Sequence, residues 1–314
     1  MKNQVNKVSI IMINWNNSTD TINCLKSIKK ITYSDYNIFL LDNNSKKDSQ
    51  EEIKKYLKES ENQEFNYKTI DVTDLNKKYP NLNLLYIINN INSGFASGNN
   101  IVLKYIKDYV DSDYVLLLNN DTVVAPDFLD CLVNTGNSSE NIGFTGIRTY
   151  YYDNPDKLQT IGGSLIDYNH CEASAITTTS DEITVCDFIT GSCMLVKQSI
   201  LDNIGFLDSK LFMYWEDADW CMRGKNNGYI SVTTPNSMIY HKEGGSSTSD
   251  FRLYYHTRNR IYVMKKNTES NIYHHFLIYI ILYVLKTSMT EIIHGNFSTA
   301  KAFIKGLFDG IILK

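Results

Sequence analysis

Proline is scarce in this 314-residue chain, with four in all, and glycine stands at sixteen. That excludes collagen-like and proline-rich low-complexity character. None of the six cysteines (Cys24, Cys131, Cys171, Cys186, Cys193, Cys221) belongs to a Cys-x-x-Cys pair. Neither a zinc ribbon nor a thioredoxin motif is expected, and scattered single thiols suit a reducing cytosol. The longest uninterrupted apolar run is ten residues, Phe276 to Leu285. A membrane-crossing helix takes about twenty, so the expectation is a chain that does not span. The start, Met1 to Lys7, is polar and leads directly into a strand-like segment, so no signal peptide is expected.

What is present is ordinary for a globular protein. The chain is 43% hydrophobic, 12% aromatic and 21% charged. This excludes disorder and leaves enough apolar material for one large α/β domain with an appendage, or for two modest domains. The net charge of −4 is uneven. Residues 1–249 carry 22 Lys/Arg against 31 Asp/Glu, whereas residues 250–314 carry 9 against 4. A nucleic-acid binder would show a basic main domain, so no nucleic-acid partner is expected. The basic tail, rich in Tyr, Ile and Leu, suits an anionic membrane surface. The plainer alternative is a helical cap on the core or a contact within a homo-oligomer.

Buried-type runs at Val8–Ile13, Tyr36–Leu41, Leu82–Ile88 and Tyr114–Leu118 read as parallel strands. Helical patterns at Ser18–Lys30, Ser49–Leu57 and Asn99–Tyr109 separate them, the first capped by Ser18 or Thr19. The result is a doubly wound α/β unit, in which ligands sit beyond the carboxyl ends of the strands. Three strands end in Asn/Asp clusters, at residues 14–17, 42–45 and 119–121. Further on, Ile142–Tyr151, Gly162–Tyr168 and Val185–Val196 read as strands, and Gln198–Ile204 and Asp217–Asn227 as helices. Ile230–Thr234 and Ser237–Tyr240 read as two short strands. From Phe251 three helices follow: one to about Lys266, an apolar one over Tyr273–Ile293, and an amphipathic one over about Ser298–Leu313.

Four constellations carry chemistry. In Asn119-Asn120-Asp121-Thr122 a carboxylate just past a buried strand could hold a hard cation, or simply close a polar turn. In Tyr214-Trp215-Glu216-Asp217 adjacent acids under aromatics could supply a general base, or only favour a helix N-terminus. His241, before Gly244-Gly245-Ser246-Ser247, could be a metal ligand beside a mobile lid, or a structural histidine. The stretch Asn92 to Asn100 is a Gly-rich loop entering a helix, but it lacks Gly-x-Gly-x-x-Gly spacing. No strand directly precedes that helix, which disfavours a dinucleotide site.

Taken in order, VSIIMINWNN (8–17), LLDNNS (40–45), NSGFASGNN (92–100), LLLNNDT (116–122), TGSCMLVK (190–197), FMYWEDADWCMR (212–223) and YHKEGGSS (240–247) make the chain resemble the family 2 glycosyltransferases. The resemblance is to the rhamnosyltransferase-like and galactofuranosyltransferase-like branch and covers roughly residues 7–265. It implies a GT-A fold over residues 1–250, with a nucleotide-sugar half to about 125 and an acceptor half after it, followed by a helical extension over 251–314. It also implies an inverting, metal-dependent transfer from a UDP- or dTDP-sugar, rhamnose among the candidates, to a glycan or lipid-linked acceptor in cell-surface polysaccharide synthesis. Such an enzyme would work in the cytoplasm or on the inner membrane face.

By the same resemblance, Asn14, Trp15 and Asn16 contact base and ribose, and Asp42 hydrogen-bonds the base. Gly94, Asn99 and Asn100 line the nucleotide-sugar pocket. Asn119, Asn120 and Asp121 occupy the family's D-x-D motif, with asparagine replacing the earlier acids. Asp121 and His241 hold Mg2+ or Mn2+, the diphosphate and water completing the shell. Asp217 is the base, and Tyr214, Trp215 and Glu216 meet the acceptor. Two alternatives stand beside this reading. One is a non-catalytic nucleotide- or glycan-binding relative, which the asparagines at 119 and 120 would permit. The other is a sugar nucleotidyltransferase, which would want a basic Gly-rich loop where Asn14-Trp15-Asn16-Asn17 stands.

Overall fold

The computed structural model describes residues 5–59, 65–242 and 249–314. Five strands form its parallel half: β1 (Val8–Asn14), β2 (Tyr36–Asn43), β3 (Tyr67–Asp71), β4 (Leu84–Asn89) and β5 (Tyr114–Leu118). Their order is β3-β4-β2-β1-β5, every neighbour parallel. Three helices wind between them: α1 (Ser18–Ile28), α2 (Lys47–Glu59) and α3 (Gly94–Tyr109). The residues of β1 alternate between two cores. Ile10 and Met12 share one with Leu25 and Ile28 of α1, and Ile11 shares the other with Val102 and Ile106 of α3. Apolar side chains on both faces leave no side for water, hence the near-continuous hydrophobic strand. The doubly wound sheet expected from the sequence is present.

Several local expectations need correction. β3 went unread because it is an edge strand in which only Ile70 of YKTID is buried. Neither Ser18 nor Thr19 caps α1; Asn17 is the N-cap residue, without a side-chain cap bond. α3 begins at Gly94, five residues early, only four residues after β4 ends. The Gly-rich stretch is therefore the helix's first turns. Gly98 is helical because the helix lies close on the sheet there: a Cβ would come within 3.0 Å of the Ile13 Cδ1.

Beyond β5 the chain adds β6 (Thr122–Val124), α4 (Phe128–Asn137), β7 (Ile142–Tyr151), β8 (Asn154–Thr160), β9 (Gly163–Asp167), β10 (Glu172–Ala175), β11 (Thr184–Cys186), β12 (Phe188–Ile189), β13 (Cys193–Lys197), α5 (Gln198–Asn203), α6 (Glu216–Asn226) and β14 (Ile230–His241). The sheet continues from β5 as β13-β7-β14-β11, with β6 on β14 and β8 on β7. β13 runs antiparallel to both neighbours, so this half is mixed. A separate three-stranded sheet has the order β10-β9-β12. The expected strand Val185–Val196 is three short strands, interrupted at Asp187 and at Thr190-Gly191-Ser192. The two strands expected around Pro235 are one, β14, whose register slips between Thr234 and Met238. Proline is tolerated in a strand at such an irregularity.

Three helices close the chain: α7 (Ser249–Asn267), α8 (Ser270–Ile293) and α9 (Phe297–Ile312). Gly306 and Gly310 let α9 lie directly on α7, where a Cβ would stand 2.8 Å from the Tyr254 carbonyl and 2.7 Å from that of Arg258. α8 docks through Phe276, Ile280, Val284 and Ser288. On another stripe Ile278, Leu282, Leu285, Met289 and Ile292 are exposed. The ten-residue run understated this helix. Its 24 residues hold an 18-residue window of mean hydropathy 1.7, of which 22% is buried. By length and composition it suffices to cross a membrane.

Candidate active site

Asp121 and His241 meet at the end of β5 because β14 pairs with β6, His241 opposite Thr122. The His241 Nε2 lies 3.3 Å from the Asp121 Oδ1. On its other side, the His241 Nδ1 stands 3.1 Å from the Gln159 Oε1. A proton on Nδ1 satisfies that amide oxygen and leaves the Nε2 lone pair facing the carboxylate. The Asp121 Oδ1 is buried and has no hydrogen-bond partner. Two lone pairs facing one another across this gap are what a cation relieves, so the donor set fits a divalent metal. Among the described residues no third His, Cys, Asp or Glu joins them. The remaining ligands would be phosphate oxygens and water. The Gly244 to Ser247 lid expected beside His241 lies outside the described residues.

Asn119 keeps its amide nitrogen 3.4 Å from the His241 Nε2. The Asn120 amide turns away, donating to Thr21 Oγ1 at 2.8 Å and, more weakly, to Asn14 Oδ1 and the Asn17 carbonyl. These bonds tie the Asn120 side chain to α1 and the turn before it.

Asn14 and Asp42 face each other as the last β1–β2 rung and both are fully buried. Asp42 accepts from Asn14 Nδ2, the Ser45 N–H, Gln50 Nε2 and, at 3.5 Å, the Tyr86 hydroxyl. The Asn14 Oδ1 accepts from Thr21 Oγ1 and the Asn17 N–H. Buried polar groups must be satisfied, and these protein partners satisfy them and brace the strand ends. Trp15 (42% exposed) and Asn16 remain open beside them.

Gly94, Asn99 and Asn100 are on helix α3, not in a loop. Gly94 sits at φ +76°, and a Cβ would approach the Phe212 carbonyl to 2.6 Å. The Asn99 amide donates to the Phe95 carbonyl. The Asn100 side chain exchanges two hydrogen bonds with the Leu207 backbone, at 2.7 and 3.1 Å. Their observed bonds serve packing, tying α3 to the segment that leads to α6.

That segment is strained. Phe212, Tyr214 and Trp215 have φ of +61°, +69° and +71°. Left-handed conformations at such residues cost on the order of 1–3 kcal/mol each. The buried Asn259 of α7 holds them, its Nδ2 lying 2.9, 2.9 and 2.7 Å from the carbonyls of Leu211, Met213 and Tyr214. The strain delivers Glu216 and Asp217 at the start of α6. Asp217 accepts from the N–H groups of Ala218 at 2.8 Å and Gly191 at 3.0 Å. Burial pushes its carboxyl up, and those two N–H groups oppose the rise. Glu216 is pushed well above the usual carboxylate range, by burial first and by the charge of Asp217 second. Its Oε2 has no partner. Two backbone N–H groups thus favour the charged form at Asp217, whereas the Glu216 Oε2 has no such donor.

Both acids line an open cavity of about 410 Å³ together with Tyr214, Trp215 and, from α7, His256 and Arg260. The Trp215 Nε1 donates to the His256 Nδ1 at 3.2 Å, and the Tyr214 ring stacks on the imidazole at 4.5 Å. Trp215 is only 7% exposed, so little of its ring is open to a sugar. Sequence reading missed His256, Asn259 and Arg260. A four-residue spacing within an Arg/Tyr-rich helix was the available signal, and it was read as tail. One short loop links the cavity to the segment that carries Asp121. The Gly191 N–H reaches Asp217 while the neighbouring Ser192 carbonyl accepts from the Asn119 N–H at 2.9 Å.

Comparison with known proteins places this geometry. The family described as "Glycosyltransferase like family 2" matches residues 6–263. The low-salt glycan biosynthesis hexosyltransferase Agl10 of Haloferax volcanii is 26% identical over 184 residues, 56% of this chain and 58% of that protein. The rhamnosyltransferase WbbL of Escherichia coli is 26% identical over 196 residues, 57% of this chain and 73% of that one. The mannosyltransferase PcManGT of Pyrobaculum calidifontis, solved with GDP-Man and Mn2+, superposes with a TM-score of 0.60 at 11% identity, covering 99% of this chain and 89% of its own.

Proposed function

Since this chain belongs to the glycosyltransferase-like family 2 and carries that domain on a GT-A fold, we propose that it transfers a sugar from a nucleotide-diphosphate donor to a hydroxyl of a glycan or lipid-linked acceptor. The observation carrying the proposal is the Asp217 carboxylate, held by two backbone N–H groups at a cavity wall and joined through residues 191–192 to the Asp121–His241 pair. Asp217 takes the proton of the attacking hydroxyl; one base opposite the leaving group implies inversion at the anomeric carbon. Glu216, its carboxyl raised by burial and by the charge of Asp217, lines the same cavity and is placed to meet the acceptor. Asp121 and His241 would hold Mg2+ or Mn2+. When bound, the cation supplies Lewis-acid neutralisation of the charge growing on the diphosphate. Asn14, Trp15, Asn16 and Asp42 are the candidates for base and ribose, Trp15 and Asn16 being the ones open at the strand ends. UDP- and dTDP-sugars, rhamnose included, are the donors to try first.

The test is thermal stabilisation by such donors with Mn2+ or Mg2+, since a ligand that binds only the folded state raises its melting point. His241→Ala should abolish the metal-dependent increment and raise the metal concentration needed for transfer about tenfold or more, in line with the loss of one ligand of few. An unchanged metal dependence would remove His241 from the site.

The exposed stripe of α8 and the basic tail support peripheral attachment to an anionic membrane face, the cytoplasmic one for a lipid-linked acceptor. α8 also borders the cavity: its Tyr279 hydroxyl donates to Glu172, a lining residue, at 3.1 Å. The full chain should float with phosphatidylglycerol vesicles, and Ile278→Glu with Leu282→Glu should abolish flotation without lowering the melting point. A wild-type chain that ignores anionic vesicles refutes the attachment.

A further inference from the structure

The cavity walls differ in charge. Glu172, Glu216 and Asp217 line the cavity together with Arg260, and the Glu172 carboxylate already accepts from the Tyr279 hydroxyl. Arg252, His256 and Arg260 follow at four-residue intervals and so share one face of α7. The Arg260 Nη2 donates to the His170 carbonyl at 2.6 Å, while its Nε is buried without a partner. Ion pairs among the described residues include neither Arg252 nor Arg260. His256 does not compensate. Burial and the two guanidinium charges hold its imidazole down to about 4, so it is neutral. Arg260 is half-buried, and a buried N–H left without an acceptor, as at its Nε, is unfavourable. A neutral sugar hydroxyl would relieve it only in part, whereas an oxyanion relieves it fully.

The geometry points to an anion subsite in the acceptor pocket: Arg260 takes a phosphate ester or a sugar carboxylate carried by the acceptor, while the acceptor hydroxyl faces Asp217. The donor's diphosphate belongs with Asp121 and His241, at the far end of the 191–192 link. This deepens the acceptor assignment above and rests on it.

The experiment is phenylglyoxal modification of the full chain with peptide mapping of Arg260, run with α-glucose 1-phosphate, glucuronate or glucose, each in the presence of saturating Mn2+ and UDP. Glucose 1-phosphate or glucuronate should slow modification of Arg260 tenfold or more, and glucose should not. Protection by the phosphate alone assigns a phosphate ester; protection by glucuronate alone assigns a carboxylate. Arg260→Gln should weaken binding of the protecting sugar tenfold or more and leave UDP binding unchanged. An Arg260 that does not react, or reacts equally in all arms, overturns the subsite, as does a folded Arg260→Gln that binds the anionic sugars like wild type. Because UDP and dTDP binding are read separately, the absence of both would strike the donor assignment above, whereas binding of either beside equal Arg260 reactivity removes this subsite alone.

Discussion

Asp217→Asn lowers the transfer rate by about 10³-fold or more, near the top of what one positioned general base supplies, while donor affinity stays within about twofold. The neighbours of the carboxylate explain the split. The Gly191 and Ala218 N–H groups each point at one Asp217 oxygen. An amide offers one oxygen and one NH2, so one of those backbone donors then faces another donor. The variant thus loses the proton acceptor and disturbs the loop beside it, but nothing changes at Asp121 and His241. The pH profile of the wild-type enzyme carries the same signature. Since burial raises the Asp217 carboxyl above its ordinary value, the acidic limb lies above the usual aspartate range. Activity is full above that raised value and is lost as pH falls through it. Steady-state rates against pH, with donor binding measured separately, check both statements. Transfer by the Asn variant at the wild-type rate would sink the assignment.

Asn259→Leu destabilises the fold by about 3 kcal/mol, the scale of leaving buried carbonyls unpaired. It also reduces kcat by about 10²-fold, as a displacement near 1 Å at a catalytic group does. Asn259 touches no reacting atom. It is a positioning residue whose amide gathers three carbonyls from a segment with left-handed backbone at Phe212, Tyr214 and Trp215. Without it the segment relaxes toward ordinary φ values and Asp217 moves with it. The distinguishing readout is the split between parameters: kcat should fall while the affinity for UDP with Mn2+ holds. A melting point that drops with kcat intact would reduce Asn259 to a structural residue.

What could be read ahead of the structure follows the strength of the local signals. The strands β1, β2, β4 and β5 announce themselves because burial on both faces demands long apolar runs. β3 does not, since an edge strand with exposed residues lacks such a run. The acid pair at 216–217 and the Asp121–His241 pair stood out as charged groups beside apolar runs, and the structure brings each pair together in space. What is not legible has a common cause. The protein partners of Asn14 and Asp42 come from β4, α1 and α2, which no local pattern reveals. Asn259 and Arg260 lie more than forty residues beyond the acids they serve. The strained turn at 212–215 is invisible in composition, because its left-handed residues are Phe, Tyr and Trp rather than glycine.

The tripeptide between β12 and β13 acts as a gauge block. Gly191 is fastened to Asp217 and Ser192 to Asn119, two residues before Asp121. On the proposed assignment of base and cation, the gap between proton abstraction and leaving-group departure would be set by this span, which is too short to stretch. Selectivity among sugars would then be written into the side chains around it, while the jaw itself stays constant as substrates change.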